Sequence, residues 1–173
     1  MKQNVELKAR LRDLQAARQV AARLATTPVE VLRQIDTYFV CAHGRLKLRE
    51  LNGVAAELIA YDRPDHTDAR TSSYRILPIA DPTAAKELLT AALGVLVVVE
   101  KTRELYLHNN VRIHLDQVAG LGAFLEFEAV LNSPAEAAAG HQQVQSLATE
   151  FSLRAEDLVP RSYSDLLVEQ AGR

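Results

Sequence analysis

Acids and bases recur two residues apart along this chain: Asn4, Glu6 and Lys8; Arg45, Lys47 and Arg49; Lys101 and Arg103; Arg112, His114 and Asp116; Glu126 and Glu128. In a strand, successive side chains point to opposite faces, so each set shares one face. The opposite face takes Val5, Leu7, Leu46, Leu48, Val98, Leu125 and Phe127. The bases suit phosphate oxygens, which arginine grips with two parallel hydrogen bonds and lysine meets as a point charge. Carboxylates repel phosphate. Their presence beside the bases makes sense if Mg²⁺ or Mn²⁺ sits between, because these ions take oxygen from one or two carboxylates plus substrate phosphates. Two blander readings compete. Each segment alone is the wet face of an ordinary antiparallel strand, and the whole set is a network of mutual salt bridges with no ligand. His114 alone reads as a packed or hydrogen-bonded histidine rather than a metal ligand or base.

The alternation places strands at 4–8, 29–41, 45–51, 54–63, 74–79, 96–108, 111–118 and 123–131, with irregularity expected near Asp36. Asn52-Gly53 is a strong hairpin signal, since both residues tolerate the positive φ of a type I′ turn. Asp13 caps a helix over 14–25, and Asp81-Pro82 opens another that Gly94 closes. Ser133-Pro134-Ala135-Glu136 reads as a capping box for a helix to about residue 151, and 156–168 as a helix broken at Pro160. The stretch 64–73, without periodicity, reads as a surface loop. Eight antiparallel strands are enough to close into a barrel that holds one small ligand. The apolar face must leave water, so helices should pack outside and the charged face should line the lumen. The expected fold is α+β: an eight-stranded antiparallel β-barrel with helices outside, one domain over 1–173. Its lumen gathers Lys8, Lys47, Arg49, Arg63, Lys101, Arg103 and Arg112 against Glu6, Glu57, Asp116, Glu126 and Glu128.

Composition narrows the partners. A formal charge of −2 gives no general basic surface for nucleic acid. Cys41 is the only cysteine, which excludes an internal disulfide or cysteine metal cluster, fits a reducing compartment and reads as a buried structural thiol. Neither a signal-peptide run nor a membrane-length apolar stretch occurs, so the cytoplasm is the expected location, with no membrane partner.

The opening Asn4 to Lys8 resembles the E-x-E-x-K signature of the CYTH superfamily, the triphosphate tunnel metalloenzymes, which includes class IV adenylyl cyclases, thiamine triphosphatases and inorganic tripolyphosphatases. The segments 44–49, 99–103, 111–116 and 124–128 resemble its later motifs in the family's order, and the closing Ser162-Tyr163-Ser164-Asp165-Leu166-Leu167 looks closest to the class IV adenylyl cyclase-like branch. The resemblance implies a triphosphate tunnel. In it Glu6, Asp116, Glu126 and Glu128 would hold Mg²⁺ or Mn²⁺, and Lys8, Lys47, Arg49, Arg63, Lys101, Arg103 and Arg112 would hold phosphates. Lys8 and Glu6 would have catalytic roles; Asn4, Glu57 and His114 would also face the lumen. Asn4 stands where the family's first glutamate is expected, which puts a second metal in question. The implied activity is ATP to cyclic AMP and pyrophosphate. Hydrolysis of tripolyphosphate or thiamine triphosphate is the close alternative, and non-catalytic binding of a triphosphate or polyphosphate a third, in a monomer or homodimer.

Overall fold

The computed structural model describes residues 2–62 and 70–172. Eight antiparallel strands form a closed ring: β1 (Lys2–Arg10), β2 (Glu30–Phe39), β3 (Arg45–Leu51), β4 (Ala55–Asp62), β5 (Arg70–Ile79), β6 (Val95–His108), β7 (Val111–Val118) and β8 (Gly122–Leu131). Around the ring the order is β1-β5-β4-β3-β2-β6-β7-β8, with β1 paired to both β5 and β8. Closure leaves no sheet edge to template aggregation. It also aims every second side chain of each strand into one lumen.

Four α-helices lie outside: α1 (Leu14–Leu24), α2 (Pro82–Leu93), α3 (Ala137–Glu150) and α4 (Tyr163–Gln170). The carboxylates of Asp13 and Asp81 accept from the backbone N–H of Ala16 and Ala84, as the sequence predicts. α1 and α3 cover the outer face of β1, β7 and β8, where Val5, Leu7, Ile113, Leu115, Leu125 and Phe127 pack against Ala17, Ala21, Val144 and Leu147. A buried leucine or phenylalanine of this kind contributes about 1.5–3 kcal/mol, so this layer holds the acid-bearing strands rigidly. The fit is close at Gly140 of α3. A Cβ there would stand 3.0 Å from Leu131 and 3.1 Å from Val5, so Gly140→Leu would push the helix off the sheet.

Several expectations need correction. Val98 is 42% exposed: α1 reaches the outer face of β6 toward its far end, at Glu104 and Tyr106, and leaves the stretch around Val98 open. The register shift of β2 falls between Tyr38 and Phe39, past Asp36, which pairs regularly with Arg49 and Val99. The Glu136 carboxylate reaches back to the Asn132 N–H rather than that of Ser133, so a 3₁₀ turn over 134–136 precedes α3. Residues 155–157 form another 3₁₀ turn, and the last helix starts only at Tyr163. Residues 70–73, read as loop, extend β5. Cys41 is half-buried rather than buried, its thiol within reach of the Phe39 carbonyl.

Candidate active site

The lumen encloses a cavity of about 360 Å³ lined by Asn4, Glu6, Lys8, Lys47, Arg49, Glu57, Lys101, Arg103, Arg112, Glu126 and Glu128. Strand alternation therefore places these predicted side chains in one space, and the ring register sets their neighbours. Glu126 lies opposite Lys8 on one side and His114 on the other, and Glu128 opposite Glu6 and Arg112. Asp116 and His114 are buried behind this lining, at 0% and 3% exposure. Arg63 lies outside the described residues.

The bases are not idle without a ligand. Asp36 of β2, which the sequence reading passes over, accepts from Lys47 Nζ at 2.7 Å and from Arg49 Nε and Nη2 at 2.8 Å each. Burial alone would raise its carboxyl, but Arg49 and Lys47 hold it well below the usual range. On β7, Asp116 accepts from Arg103 Nε at 2.7 Å and Nη2 at 2.6 Å, with Lys101 Nζ at 3.4 Å. Burial opposes its charge too, and Arg103 and Lys101 outweigh burial. Part of the lining is thus the salt-bridge network of the blander reading. Since both Asp116 oxygens already hold cationic side chains, a metal there would have to displace Arg103.

Lys101 answers differently to the same surroundings. Burial, then Arg103, push its ammonium down to about 7 against the pull of Asp116. It is therefore a largely neutral amine inside a phosphate-sized cavity at mildly alkaline pH.

The acids of β8 remain the more open. Glu126 accepts from Arg103 Nη2 at 2.9 Å and has Lys8 Nζ at 3.6 Å, while Glu128 has Arg112 at 3.6 Å. His114 Nδ1 stands 3.7 Å from Glu126 Oε2 and 3.9 Å from Glu128 Oε1, and no hydrogen-bond partner for it occurs among the described residues. Burial, then Arg103, lower the imidazole pKa, which favours the neutral ring. Ligand atoms of His114, Glu126 and Glu128 all lie within 4.8 Å of one another, a donor set that could take a divalent cation. Asn4 Oδ1 is also buried with no hydrogen-bond partner among the described residues, in the lumen where the opening alternation puts it.

Tyr163 is the second residue that sequence reasoning misses. Its hydroxyl donates to Asp116 Oδ2 at 2.9 Å, and its ring lies 4.0 Å from Lys8 Nζ and 5.0 Å from Lys101 Nζ. Two backbone contacts bring the C-terminal segment to the barrel mouth: Val159 N–H donates to the Lys8 carbonyl, and Ala9 bridges Leu158. Ser162 then caps α4 with a reciprocal bond to Asp165, which fixes Tyr163 in the first helical turn.

On β4 and β5 the lining changes character. Ile59 pairs with Ile76 and Tyr61 with Tyr74, and all four face the cavity. An apolar and aromatic strip thus runs alongside the charges.

A model of the CYTH domain matches residues 2–163. No curated protein matches the sequence. Among solved structures the chain is similar to PH1012 from Pyrococcus horikoshii OT3, with 26% identity over 94% of this chain and 98% of that one and a TM-score of 0.82. It is similar in fold to a candidate adenylate cyclase from Vibrio parahaemolyticus, at 21% identity, 95% and 97% coverage and a TM-score of 0.79. A third similar fold is HpAC1 from Hippeastrum, a candidate adenylyl cyclase described as having a dominant triphosphatase activity, at 14% identity, 100% and 97% coverage and a TM-score of 0.66.

Proposed function

The chain belongs to the CYTH domain family, and from that premise we propose that it is a divalent-metal-dependent enzyme acting on a triphosphate in the barrel lumen, in the manner of a class IV adenylyl cyclase. The observation that carries this reading is the convergence of Lys8, Lys47, Arg49, Lys101, Arg103 and Arg112 with Glu6, Glu126 and Glu128 around one cavity. Glu126 and Glu128 would hold the cation, with Glu6 opposite Glu128 in the register. When bound, a divalent cation supplies charge neutralisation and Lewis acidity to phosphate oxygens. The chain's own bases position the triphosphate, and positioning with charge neutralisation is most of what phosphoryl chemistry asks of a protein. Lys101, largely neutral before the ligand arrives, would gain a proton beside the triphosphate and join the bases that hold it, and the proton of the attacking hydroxyl would leave to water or to the departing pyrophosphate. The ribose oxygen then bonds to the α-phosphorus as pyrophosphate leaves.

The strip of Ile59, Tyr61, Tyr74 and Ile76 favours a triphosphate with an organic end over inorganic tripolyphosphate, because those rings and branched chains gain nothing from phosphate. Hydrolysis of thiamine or nucleoside triphosphate is the second reading, since the same lining can position water as readily as ribose. Product analysis separates them: the purified chain is incubated with ATP, tripolyphosphate and thiamine triphosphate, each with Mg²⁺ and with Mn²⁺. Cyclic AMP with pyrophosphate is the expected outcome. Orthophosphate from ATP or thiamine triphosphate supports hydrolysis, and turnover of none of the three leaves a binder and overturns the enzyme reading.

A further inference from the structure

We infer that His114 is a direct ligand of the divalent cation, so that the site takes Mn²⁺, Co²⁺ or Zn²⁺ ahead of Mg²⁺. This rests on reading Glu126 and Glu128 as cation ligands and adds a nitrogen donor to them. His114 is 3% exposed, and its Nδ1 lies 3.7 Å from Glu126 Oε2 and 3.9 Å from Glu128 Oε1 with no hydrogen-bond partner among the described residues. Neither tautomer accounts for that placement. A bare lone pair on Nδ1 would face two anionic oxygens, which is repulsive. A proton on Nδ1 would find both acceptors beyond hydrogen-bond length. A cation between the three atoms answers both difficulties, because it attracts the lone pair and the carboxylates together.

The spacing suits this. Two ligands on one ion with bonds of about 2.1 Å sit about 3.0–3.4 Å apart, so from separations within 4.8 Å each glutamate oxygen needs to move by no more than about 1 Å. Asp116, two residues along the same strand face, offers the contrast: its oxygens already hold Arg103, Lys101 and Tyr163, while Nδ1 of His114 makes no hydrogen bond among the described residues. An imidazole beside two carboxylates is a poor match for Mg²⁺, which prefers an all-oxygen shell, and a better one for ions further along the transition series.

The test uses the metal-free full chain titrated with Mn²⁺ alone and read by pulsed electron paramagnetic resonance. The expected result is a ¹⁴N coupling of directly bound imidazole, replaced by the ¹⁵N pattern when the protein carries [¹⁵N]histidine. His114→Gln should abolish the coupling and weaken Mn²⁺ binding by at least about tenfold, with little change for Mg²⁺. Should that variant fail to fold, the labelled wild-type protein still decides, since His114 is the only histidine of the cluster among the described residues. Mn²⁺ that binds, and is lost in Glu126→Gln, but shows no nitrogen coupling overturns the inference and leaves the carboxylate reading standing. Coupling that persists in His114→Gln overturns it as well. No Mn²⁺ binding at all overturns both.

Discussion

The lumen contains the same small device twice. On β2 and β3, Asp36 faces Lys47 and Arg49; on β6 and β7, Asp116 faces Lys101 and Arg103. In both, a Lys-x-Arg pair on one strand meets an aspartate on its antiparallel neighbour, and the arginine grips that aspartate with two parallel hydrogen bonds. The surroundings differ. The side chains of Lys47 and Arg49 are 10% and 17% exposed, those of Lys101 and Arg103 3% and 5%. Arg103 also donates to Glu126, and Tyr163 closes over Asp116. One pattern thus yields two balances: the outer triad keeps bases near the cavity with a modest desolvation cost, and the inner one ties the bases to the acids of β8. Two bases on one acid leave the outer triad with net positive charge, whereas the inner one, with Lys101 largely neutral at mildly alkaline pH and Arg103 shared with Glu126, is close to balanced. The excess of the outer triad is what an incoming anion can meet, while the inner triad reads as a set of salt bridges.

The widest separation between the triads should appear in stability. Asp116→Asn strands Arg103 and Lys101 in a dry site and should cost about 3–5 kcal/mol, the usual consequence of breaking a buried pair from one side. Asp36→Asn should cost less, about 2 kcal/mol, because its partners can turn toward water. Urea denaturation of both variants measures the difference, and equal losses would remove the distinction between the triads. Next in size is Glu126→Gln, which cuts the tie between Arg103 and the acid wall while removing charge from the cation site. Turnover should fall about a hundredfold, with metal dependence shifted to higher concentration and the fold retained. Full turnover in a chelator would contradict the metal assignment altogether.

Arg49→Ala tests the opposite role. It should remove about 2 kcal/mol of triphosphate binding, read as a smaller ligand-induced rise in melting temperature, while Arg103→Ala should act chiefly on the melting temperature of the free protein. If Arg49→Ala leaves the ligand-induced rise unchanged, the outer triad is as structural as the inner.

The ring of strands and its lumen face were legible because alternation at a period of two is written directly in the residues: Lys47 and Arg49, or Glu126 and Glu128, declare their shared face without any knowledge of neighbours. Asp36 was harder. Gln34, Asp36 and Tyr38 continue the same alternation, but an acid between β-branched and aromatic residues reads as a disturbance until the register shows Arg49 opposite it. Tyr163 had no such signal. It enters the lumen from a segment that crosses the barrel mouth, and no periodicity reports where a crossing chain lands; the family resemblance of 162–167 marked the segment without placing its tyrosine. Likewise, that His114 Nδ1 makes no hydrogen bond among the described residues is a fact of three dimensions, since only the register sets it against Glu126.

A finer contrast lies in proton binding. The Lys101 pKa sits at about 7 through burial and then Arg103, against Asp116, whereas an unfolded lysine titrates near 10.4, at roughly that value. Between those limits the unfolded chain binds more protons, so this residue's contribution makes stability rise with pH across the window, and its penalty is full below about pH 7. A bound triphosphate reverses the balance by favouring the charged amine. Triphosphate binding at pH 8 should therefore take up nearly one proton, roughly 0.9 from the Lys101 pKa alone, measured from the dependence of the calorimetric enthalpy on buffer. Lys101→Arg should bind without uptake. Equal uptake in both would assign the proton elsewhere.

The smallest expected effect belongs to Asn4, at the acid end of the lumen farthest in character from either triad. Its side chain is 4% exposed, with no hydrogen-bond partner for Oδ1 among the described residues, on the same strand face as Glu6. It offers a cation at most a neutral oxygen. Asn4→Glu would add a full negative charge beside Glu6, and divalent affinity generally rises with the charge count of the ligands. Burial opposes the gain, because a new carboxylate in this position must be paid for in desolvation unless a cation meets it. The two effects together predict a variant that is slightly less stable without metal and binds metal a few-fold more tightly, roughly, with a triphosphate analogue present. Metal titrations of wild type and variant, beside their melting temperatures in chelator, measure both halves. Weaker metal binding in a folded Asn4→Glu protein would place Asn4 outside the cation's reach, and the acid wall would then consist of Glu6, Glu126 and Glu128 alone.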